Sequence, residues 1–428
     1  MQTNLADFIR NTPEGREADA ILRSCVHCGF CLSTCPTYLL LGDELDSPRG
    51  RIYLIKQVLE GAPATEKTRL HLDRCLTCRA CETTCPSGVK YGHLVDIGRA
   101  VVEHQVGRTG LDAVRRNALR KLLPSVAFAP LLRLGQALRP LAPAALRESI
   151  PPARAGTPWP PMRHSRRMLV LDGCVQPAMA PNINAALARV LDRLGISLLR
   201  PRGAGCCGAV AHHLNDHGDG LERARGNIDA WWPLLQQGAE AVIVSASGCG
   251  AQVKEYGHLL RDDPAYAGKA AQVSEVMRDP VEVLLAEREK LEQLLVLENA
   301  PSNLTQRRIA FHSPCTLQHA LKIRGAVETI LALAGFELTP VPDPHLCCGS
   351  AGTYSILQPE LSQRLLRNKV GALESGRPEL IATANLGCLA HLRNGTSLPV
   401  RHWIEVLDRA LEDPRLRTGE AGLIDELA

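Results

Sequence analysis

The chain has 428 residues, 45% of them hydrophobic and 22% charged, so it is long and apolar enough to bury more than one core. A net charge of +4 and an aromatic content of only 4% argue against a protein that binds nucleic acid through a basic surface or by base stacking. The N-terminal residues lack the pattern of a secretory signal, and no apolar run reaches about 18 residues. We therefore expect a cytoplasmic protein without a membrane-spanning helix.

Sixteen cysteines are the most informative residues of the chain. Thiols stay reduced in the cytoplasm, so this number predicts metal ligands rather than disulfides. The cysteines form two groups of eight, the first of which lies between Cys25 and Cys85.

The first group consists of two copies of one motif. Residues 25–36 are CVHCGFCLSTCP and residues 75–86 are CLTCRACETTCP, so C-x2-C-x2-C-x3-C-P occurs twice. In two-cluster ferredoxins with this spacing, the fourth cysteine of each run binds the cluster of the other run. The motif therefore predicts two [4Fe–4S] clusters, and structural zinc, which uses separated pairs of ligands, is the weaker alternative. The predicted ligands are Cys25, Cys28, Cys31 and Cys85 for the first cluster, and Cys75, Cys78, Cys81 and Cys35 for the second.

The N-terminal domain, residues 1–104, is predicted to be α-helical between its motifs. The segment 48–61, PRGRIYLIKQVLEG, has apolar residues at helical spacing, a proline near its start and a glycine at its end. More positive charge lies around the second cysteine run than around the first, and positive charge favours a reduced cluster. We therefore expect the second cluster to have the higher potential. The residues concerned are Arg74, Arg79 and Lys90 for the second run, and Arg23 and His27 for the first.

Residues 105–165 differ from the rest of the chain in being first rich in arginine and then rich in proline. This composition predicts short amphipathic helices followed by a linker. The stretch 108–139 combines apolar and arginine-rich faces, so it could lie on an anionic membrane leaflet. The alternatives are a docking surface for a partner protein and a solvated helix.

The second group of cysteines forms a repeat. In each half a single cysteine is followed 32 residues later by Cys-Cys-Gly, and each half ends in Gly-Cys. The repeat predicts a duplicated domain, with copies at 166–300 and 301–428. Short apolar runs precede these cysteines, and helical stretches such as 184–195 separate them, so each copy is predicted to be α/β, with the cysteines at the C-terminal ends of strands. The whole chain is thus predicted to be an α+β multidomain protein.

Two adjacent thiols and two more from other strand ends make a four-thiolate site in each copy, which iron–sulfur or zinc could occupy. The alternative is that the cysteines are small buried hydrophobic residues. We expect one or two further clusters here, at Cys174, Cys206, Cys207 and Cys249, and at Cys315, Cys347, Cys348 and Cys388.

Several histidines and two tryptophans lie near these cysteines in sequence. A lone histidine is more often a satisfied polar residue than a ligand, and the tryptophans are predicted to lie in the core or at an interface. The residues are His212, His213, His217, His312, His319, Trp231 and Trp232.

Paired ferredoxin runs followed by two Cys-Cys-Gly domains resemble the iron–sulfur subunits of heterodisulfide reductases and anaerobic glycerol-3-phosphate dehydrogenases. The whole chain is more closely similar to the iron–sulfur subunits of glycolate oxidases (glycolate dehydrogenases). The stretches that carry this resemblance run from residue 25 to residue 354 and include CVHCGFCLSTCPTY, HLDRCLTCRACETTCPSGVKY, NIDAWWP, ASGCGAQVKEYG and HLCCGSAGTY.

The resemblance implies the electron-transfer subunit of an oxidoreductase complex. FAD-binding flavoprotein subunits would oxidise glycolate to glyoxylate, and this chain would pass the electrons singly to quinone from a peripheral position on the cytoplasmic face of the inner membrane. We expect no catalytic residue and no flavin site in this chain, which lacks a G-x-G-x-x-G after a strand. The alternatives are the equivalent subunit of a lactate or glycerol-3-phosphate dehydrogenase and a stand-alone heterodisulfide-type reductase.

The chain departs from the heterodisulfide reductase pattern in one respect. There the Cys-Cys-Gly domains that hold catalytic noncubane clusters end in C-x-x-C, whereas Cys249 and Cys388 have no cysteine three residues before or after them. Five-cysteine clusters of that type are therefore in doubt, and four-cysteine sites for electron relay or quinone reduction are the remaining possibility.

Overall fold

The N-terminal part of the chain is α-helical, as predicted. The structure is a computed structural model that describes residues 1–141, 143, 150–297 and 307–412. The helices of the N-terminal part are Asp7–Arg10, Pro13–Ser24, Pro36–Leu41, Pro48–Leu59, Glu66–Asp73, Ala80–Thr84 and Tyr91–Val106, with a 3-10 helix at Glu44–Asp46.

The helix predicted within 48–61 spans Pro48–Leu59. It begins there because the hydroxyl of Ser47 accepts a 2.9 Å hydrogen bond from the amide of Gly50, and because proline is well suited to the first turn. The helix packs against Tyr91–Val106 at Gly98, where a Cβ atom would lie 2.6 Å from the side chain of Ile55. The absence of a side chain at Gly98 therefore allows these two helices to pack closely together.

The arginine-rich segment forms two helices, Gly110–Leu122 and Phe128–Leu138, followed by a 3-10 turn at Arg139–Leu141. Neither helix contains a buried residue. Residues 150–165 have no regular secondary structure, and the remainder of the proline-rich linker lies outside the described residues. Among the helices of the described ranges, none combines the length and the hydropathy that crossing a membrane requires.

The two Cys-Cys-Gly repeats each contain a four-stranded parallel sheet. The strands are β1 (Arg166–Val170), β2 (Ile196–Leu199), β3 (Val242–Ile243), β4 (Met277–Arg278), β5 (Arg308–His312), β6 (Glu337–Leu338), β7 (Leu380–Thr383) and β8 (Val400–His402). The strand orders are β2-β1-β3-β4 and β6-β5-β7-β8. Because the order is the same in both sheets, the duplication seen in the cysteine spacing extends to the fold. The predicted boundary at residues 300 and 301 lies outside the described residues.

Helices cover the sheets of both repeats. In the first repeat they are Gln176–Met179, Asn182–Arg193, Ala209–His213, His217–Gln236, Ser247–Lys254, Tyr256–Leu259, Ala267–Val276, Pro280–Ala286 and Arg288–Leu297. In the second they are the π-helix Thr316–Ala320 and the α-helices Ala326–Leu333, Tyr354–Leu357, Pro359–Glu374, Leu386–Arg393 and Trp403–Glu412.

The two repeats share one hydrophobic core that includes residues of both sheets. The helix Asn182–Arg193 packs against Trp403–Glu412, and the guanidinium of Arg189 contacts the carboxylate of Asp408 at 3.0 Å. The backbone amide of Ser247 also donates to the carbonyl oxygen of Ala384 at 3.3 Å, beside the last cysteines of both repeats. The repeats therefore hold their cysteine sites in a fixed relation to each other.

Candidate metal centres

Two cavities in the N-terminal domain are each lined by cysteines of both runs. One has a volume of about 440 Å³ and the other of about 310 Å³. The larger, which we call the first cavity, is lined by Cys25, Cys28, Cys31 and Cys85 and also by Cys81, and the smaller, the second cavity, by Cys75, Cys78, Cys81 and Cys35. Each cavity thus brings together three cysteines of one run and the fourth cysteine of the other. The cavities adjoin, because Pro48, Cys81 and Tyr91 line both.

The two cysteine runs wind around their cavities in the same way. The backbone is left-handed at His27 (φ 56°) and Gly29 (φ 88°), and again at the equivalent Thr77 (φ 52°) and Arg79 (φ 60°). Left-handed non-glycine residues are uncommon, and they persist where the surroundings enforce them, often at functional sites. The amide of Thr77 donates to the sulfur of Cys75 at 3.4 Å. The same winding in both runs turns backbone amides towards sulfur.

The donor chemistry of both cavities fits a [4Fe–4S] cluster. At least four thiols line each, no carboxylate lines either, and none of the sixteen cysteines forms a disulfide. Burial raises the pKa of Cys31 to about 11, and burial also raises the pKa values of Cys78 and Cys81. Several buried thiolates packed together would repel one another. Bound metal removes this cost, because it displaces the thiol protons and compensates the charge. The assignment of individual ligands to individual clusters stays a prediction.

Arg51 is a feature of the second cavity that the sequence analysis did not single out. Its side chain is only 1% exposed and donates to the carbonyl oxygen of His71 at 2.7 Å and to the hydroxyl of Thr37 at 3.1 Å. It also lies 3.9 Å from the sulfur of Cys35 and 3.2 Å from the carboxylate of Asp46. The sequence could have identified Arg51 by its position on the apolar face of the helix Pro48–Leu59. A buried arginine at such a position needs a partner.

The charge around the second cavity alters the chemistry of one of its thiols. Burial would raise the pKa of Cys75, but the guanidinium groups of Arg51 and Arg99 outweigh burial, so the pKa of Cys75 is lowered. Of the charges expected to act there, Arg79 lines the cavity, whereas Arg74 pairs with Asp46 at 2.8 Å. Lys90 lines neither cavity.

The first Cys-Cys-Gly site lies at the C-terminal ends of strands, where the sequence predicted it. The structure brings Cys174, Cys206, Cys207 and Cys249 together, and hydrogen bonds from the thiols of Cys174 and Cys207 lower the pKa of Cys206 to about 3. The amide of Gly208, at φ 87°, also donates to the sulfur of Cys206 at 3.4 Å. A Cβ at Gly208 would lie 2.7 Å from a backbone oxygen, so only glycine fits.

A buried polar pair supports the backbone of this site. The side-chain amide of Asn227 donates to the carbonyl oxygen of Cys206 at 2.9 Å, and the hydroxyl of Tyr256 donates to that of Cys207 at the same distance. These two hydrogen bonds therefore hold the backbone carbonyl groups of both cysteines of the pair in place.

The second Cys-Cys-Gly site repeats this arrangement. The sulfur atoms of Cys315 and Cys347 lie 3.9 Å apart, and the amide of Gly349 donates to the sulfur of Cys347 at 3.4 Å. The sulfur of Cys388 accepts a 3.4 Å hydrogen bond from the side-chain amide of Asn385. Cys348 lies between Cys347 and Cys388, because its thiol interacts with the thiols of both.

The second cavity of the N-terminal domain adjoins the second repeat. Cys78 and Cys315 pack against the same apolar cluster, which contains Leu76, Cys347 and Tyr354. Burial and then the neighbouring Cys315 raise the pKa of Cys78. The four-thiol sites therefore form a series, from the first cavity through the second to the site of the second repeat.

The N-terminal domain contacts the first repeat through charged and imidazole groups instead. His93 lies 2.9 Å from Glu17 and 3.1 Å from Glu255, and its ring stacks on that of His258 with centroids 4.0 Å apart. Arg79 completes the group with a 2.6 Å ion pair to Glu255. Sequence reasoning missed this cluster, since its members are ordinary surface residue types scattered along the chain.

Of the five histidines near the Cys-Cys-Gly motifs, His312 has a ring nitrogen within 4.8 Å of the sulfur atoms of Cys348 and Cys388. His212 and His213 lie 3.4 and 3.6 Å from the carboxylate of Asp96, His217 stacks on His212, and His319 contacts the hydroxyl of Thr83 at 3.0 Å. Of the two tryptophans, Trp231 is fully buried in the core of the first repeat, and Trp232 is half-buried.

Comparison with known proteins identifies the domains. The "4Fe-4S dicluster domain" family matches residues 21–89, and the "Cysteine-rich domain" family matches residues 168–254 and 309–393. The eight cysteines of the dicluster domain imply two [4Fe–4S] clusters.

Full-length relatives carry the same architecture. The chain is 56% identical to "Glycolate oxidase iron-sulfur subunit" of Escherichia coli (strain K12), over 96% of this chain and 100% of that protein. It is 32% identical to "Probable glycolate oxidase iron-sulfur subunit" of Bacillus subtilis (strain 168), over 90% of this chain and 92% of that one. "Lactate utilization protein A" of the same organism is 26% identical over 55% of this chain. The chain therefore belongs to the family of glycolate oxidase iron–sulfur subunits.

Proposed function

We propose that this chain carries electrons from a partner FAD-binding subunit, which oxidises glycolate to glyoxylate, to quinone at the membrane. The oxidation releases two electrons and two protons. When bound, a [4Fe–4S] cluster takes up and releases one electron, which allows a two-electron donor to be oxidised one electron at a time. The observation that carries the proposal is the unbroken series of four-thiol sites from the N-terminal domain into the second repeat.

The residues of the chain have distinct roles in this proposal. Cys25, Cys28, Cys31 and Cys85 hold the first cluster, and Cys75, Cys78, Cys81 and Cys35 hold the second. Arg51 places a buried positive charge beside the second set, 3.9 Å from the sulfur of Cys35. A positive charge favours the reduced, more negative form of a cluster, so the second cluster is the better electron acceptor. With both clusters bound, the charge of Arg51 would favour electron transfer from the first to the second.

The second repeat receives the electrons because it adjoins the second cluster. Cys78 and Cys315 pack against one apolar cluster, and Tyr354 of the second repeat donates a hydrogen bond to the backbone of Arg74, just before the second cysteine run. The first repeat meets the N-terminal domain through ion pairs instead. We assign the relay to the second repeat for this reason.

Quinone lies in the membrane, and the two helices of the arginine-rich segment offer an attachment surface. Leu131, Leu134 and Leu138 lie at helical spacing on one face of Phe128–Leu138 and are each more than half exposed. The arginines contribute less than the sequence suggested, because Arg116 pairs with Asp73 at 3.2 Å. We propose that this apolar face lies in the interface of an anionic leaflet.

Vesicle flotation tests the attachment. Replacing Leu131, Leu134 and Leu138 together by glutamine is expected to abolish flotation with vesicles that contain anionic lipid. Replacing Arg115 and Lys121 by glutamine is expected to weaken flotation in low salt only, because exposed charges are screened. If the leucine variant floats with the vesicles as well as the unsubstituted chain does, the proposed attachment to the membrane is wrong.

Reduction of the clusters by substrate tests the electron-transfer role. The chain is purified anaerobically with its co-expressed flavoprotein subunits, glycolate is added without an electron acceptor, and the clusters are followed by electron paramagnetic resonance. Glycolate is expected to reduce them, and lactate and glycerol 3-phosphate are expected not to. Reduction by lactate or glycerol 3-phosphate in place of glycolate would assign the chain to the corresponding dehydrogenase, and no reduction by any of them would contradict the relay.

A further inference from the structure

The two Cys-Cys-Gly repeats differ at one buried position beside their metal sites. Leu171 lies three residues before Cys174, and His312 lies three residues before Cys315. Both side chains are 2% exposed; Leu171 directly follows β1, and His312 is the last residue of the equivalent strand β5. The second repeat therefore carries an imidazole where the first carries an alkyl group.

A second difference accompanies the first. Val244 lies five residues before Cys249, whereas Thr383 lies five residues before Cys388. The hydroxyl of Thr383 lies 2.9 Å from Nδ1 of His312. An apolar pair in one repeat has thus become a hydrogen-bonded polar pair in the other.

The hydrogen bond to Thr383 leaves one nitrogen of His312 without a partner. Nε2 is buried and contacts no hydrogen-bonding group in the structure. A buried polar atom in this state destabilises the fold unless something binds it. One ring nitrogen of His312 and the sulfur atoms of Cys348 and Cys388 all lie within 4.8 Å of one another. Since Thr383 occupies Nδ1, the unpartnered Nε2 is the nitrogen available to a metal shared with these sulfurs.

The state of the imidazole suits a metal ligand. The ring is buried and lies close to two thiols of the site, and a neutral imidazole is a common metal ligand. A hydrogen bond on the other ring nitrogen is what commonly orients a ligating histidine. Thr383 supplies that bond here.

Lys369 indicates that the site carries negative charge. Its side chain is buried, and its ammonium group donates to the carbonyl oxygen of Asp343 at 2.8 Å. No carboxylate within the described ranges forms an ion pair with it, and a buried ammonium group needs such compensation. Lys369 lies within electrostatic range of Cys347 and Cys348, and also of Asp343. Thiolates bound to a metal centre would supply the missing negative charge.

We propose that His312 is a nitrogen ligand, beside the thiolates of Cys348 and Cys388, of an iron–sulfur cluster in the second repeat. Cys315 and Cys347 complete the donor set. Five donors exceed the four that tetrahedral zinc takes, and soft thiolate ligands suit iron–sulfur clusters. The first repeat, with Leu171 in this position, keeps an all-thiolate site.

The nitrogen ligand has a consequence for the potential of the cluster. An imidazole is neutral, whereas a thiolate adds a negative charge, and histidine ligation raises the potential of iron–sulfur centres. The second repeat then holds a stronger electron acceptor than an all-thiolate site would be. Ligation by His312 does not depend on the substrate of the complex, but its use as the last electron acceptor rests on the proposed function.

Pulsed electron paramagnetic resonance tests the ligation directly. The full chain is labelled with ¹⁵N-histidine, purified anaerobically and reduced with dithionite, so that no substrate is involved. We expect a strong ¹⁵N hyperfine coupling to one reduced cluster in the unsubstituted chain and its loss in His312→Leu. Leucine is the residue that the first repeat accommodates at this position. His319→Gln, a variant of a histidine that contacts Thr83, is expected to keep the coupling.

The absence of ¹⁵N coupling in the unsubstituted chain, or its persistence in His312→Leu, would overturn the assignment. If His312→Leu does not fold, His312→Cys supplies a thiolate in the same place and is expected to lower the midpoint potential of one cluster only. Unchanged potentials in His312→Cys would also overturn it. A failure of glycolate to reduce the clusters would count against the proposed function alone, because the coupling is measured after chemical reduction.

Discussion

The hydroxyl of Tyr354 donates a 3.1 Å hydrogen bond to the backbone carbonyl oxygen of Arg74, the residue that precedes Cys75. The ring of Tyr354 lies in one apolar cluster with Leu76 and Cys347. This residue of the second repeat thus joins the second cluster site to the next four-thiol site. The contact spans 280 residues of sequence and sets the relation between two domains.

Removal of this ring is predicted to slow electron transfer into the second repeat. Tyr354→Ala deletes a buried aromatic side chain at a cost of about 3–5 kcal/mol and opens the contact between the two sites. Tyr354→Phe removes only the hydrogen bond, worth about 1 kcal/mol, and keeps the ring. Reoxidation of the reduced clusters by a quinone analogue is expected to slow in the alanine variant and to change little in the phenylalanine variant. Equal rates in all three proteins would place the electron path elsewhere.

Paired cysteine variants are predicted to reveal which thiols share a cluster. Cys35 and Cys78 line the same cavity, so Cys35→Ala/Cys78→Ala is expected to lose one cluster, about four irons. Cys28 lines the other cavity, so Cys28→Ala/Cys35→Ala is expected to lose both, about eight irons. Iron and acid-labile sulfide per chain are measured after anaerobic purification. The opposite ranking would mean that each run holds its own cluster.

Arg51 is predicted to raise the potential of the second cluster. Arg51→Met removes the cation beside Cys35 and is expected to lower the midpoint potential of that cluster only, since the reduced form loses a favourable charge. It also breaks the buried pair with Asp46, which costs about 3–5 kcal/mol. Arg51→Lys keeps the charge and is expected to retain most of the potential. The measurement is a potentiometric titration followed by electron paramagnetic resonance.

Arg49 provides the matched control for this comparison. It lines the first cavity, so Arg49→Gln is expected to shift the potential of the first cluster and leave the second unchanged. If Arg51→Met moved both potentials equally, a general loosening of the domain would explain the result better than charge.

The contact between the N-terminal domain and the first repeat is predicted to weaken in alkali. Burial alone would lower the pKa of His93, but hydrogen bonds with Glu17 and Glu255 outweigh it and raise the pKa from 6.5 to about 9. The protonated form is thus favoured in the folded state, and its contribution is fully present below pH 6.5 and lost as the pH rises through about 9. The difference corresponds to about 3 kcal/mol at most.

Glu255 sets the acid side of this pH range. Burial would raise its pKa, but hydrogen bonding to His93 and the charge of Arg79 outweigh burial and lower the pKa from 4.5 to about 2. Its contribution is present above pH 4.5 and is lost as the pH falls towards 2. The contact is therefore predicted to be strongest between about pH 4.5 and pH 6.5.

Hydrogen exchange of the helix Tyr91–Val106 as a function of pH measures this contact. Protection is expected to fall between pH 6.5 and pH 9 in the unsubstituted chain, after correction for intrinsic exchange, and to fall much less in His93→Gln. His104 is exposed on the same helix, so His104→Gln is expected to behave like the unsubstituted chain. A decrease of the same size in His93→Gln would assign the effect to other groups.

The sequence predicted the parts of the site that depend on local spacing. Three thiols two residues apart cannot surround a cube from one short loop, and the cavities do combine cysteines of both runs. The strands before Cys174 and Cys315 followed from short apolar runs, and the equal spacing of the repeats predicted their common topology.

Tertiary contacts account for what the sequence did not reveal. Arg51 comes from a helix between the two runs, and only folding brings it to Cys35. Because both repeats have the same cysteine pattern, spacing alone could not tell which of them adjoins the second cluster. His312 looked like any other histidine until the structure placed it beside Cys348 and Cys388.

The most direct test of the account is glycolate-driven quinone reduction by a complex whose N-terminal clusters have been removed. The complex is assembled with Cys28→Ala/Cys35→Ala, and flavin bleaching and quinone-analogue reduction are recorded in the same anaerobic sample. We predict that glycolate still bleaches the flavin, because our proposal places the substrate site in the partner, while quinone reduction falls at least 100-fold, a drop of about 2.7 kcal/mol or more in transition-state stabilisation. Quinone reduction at the unsubstituted rate would show that electrons bypass this chain.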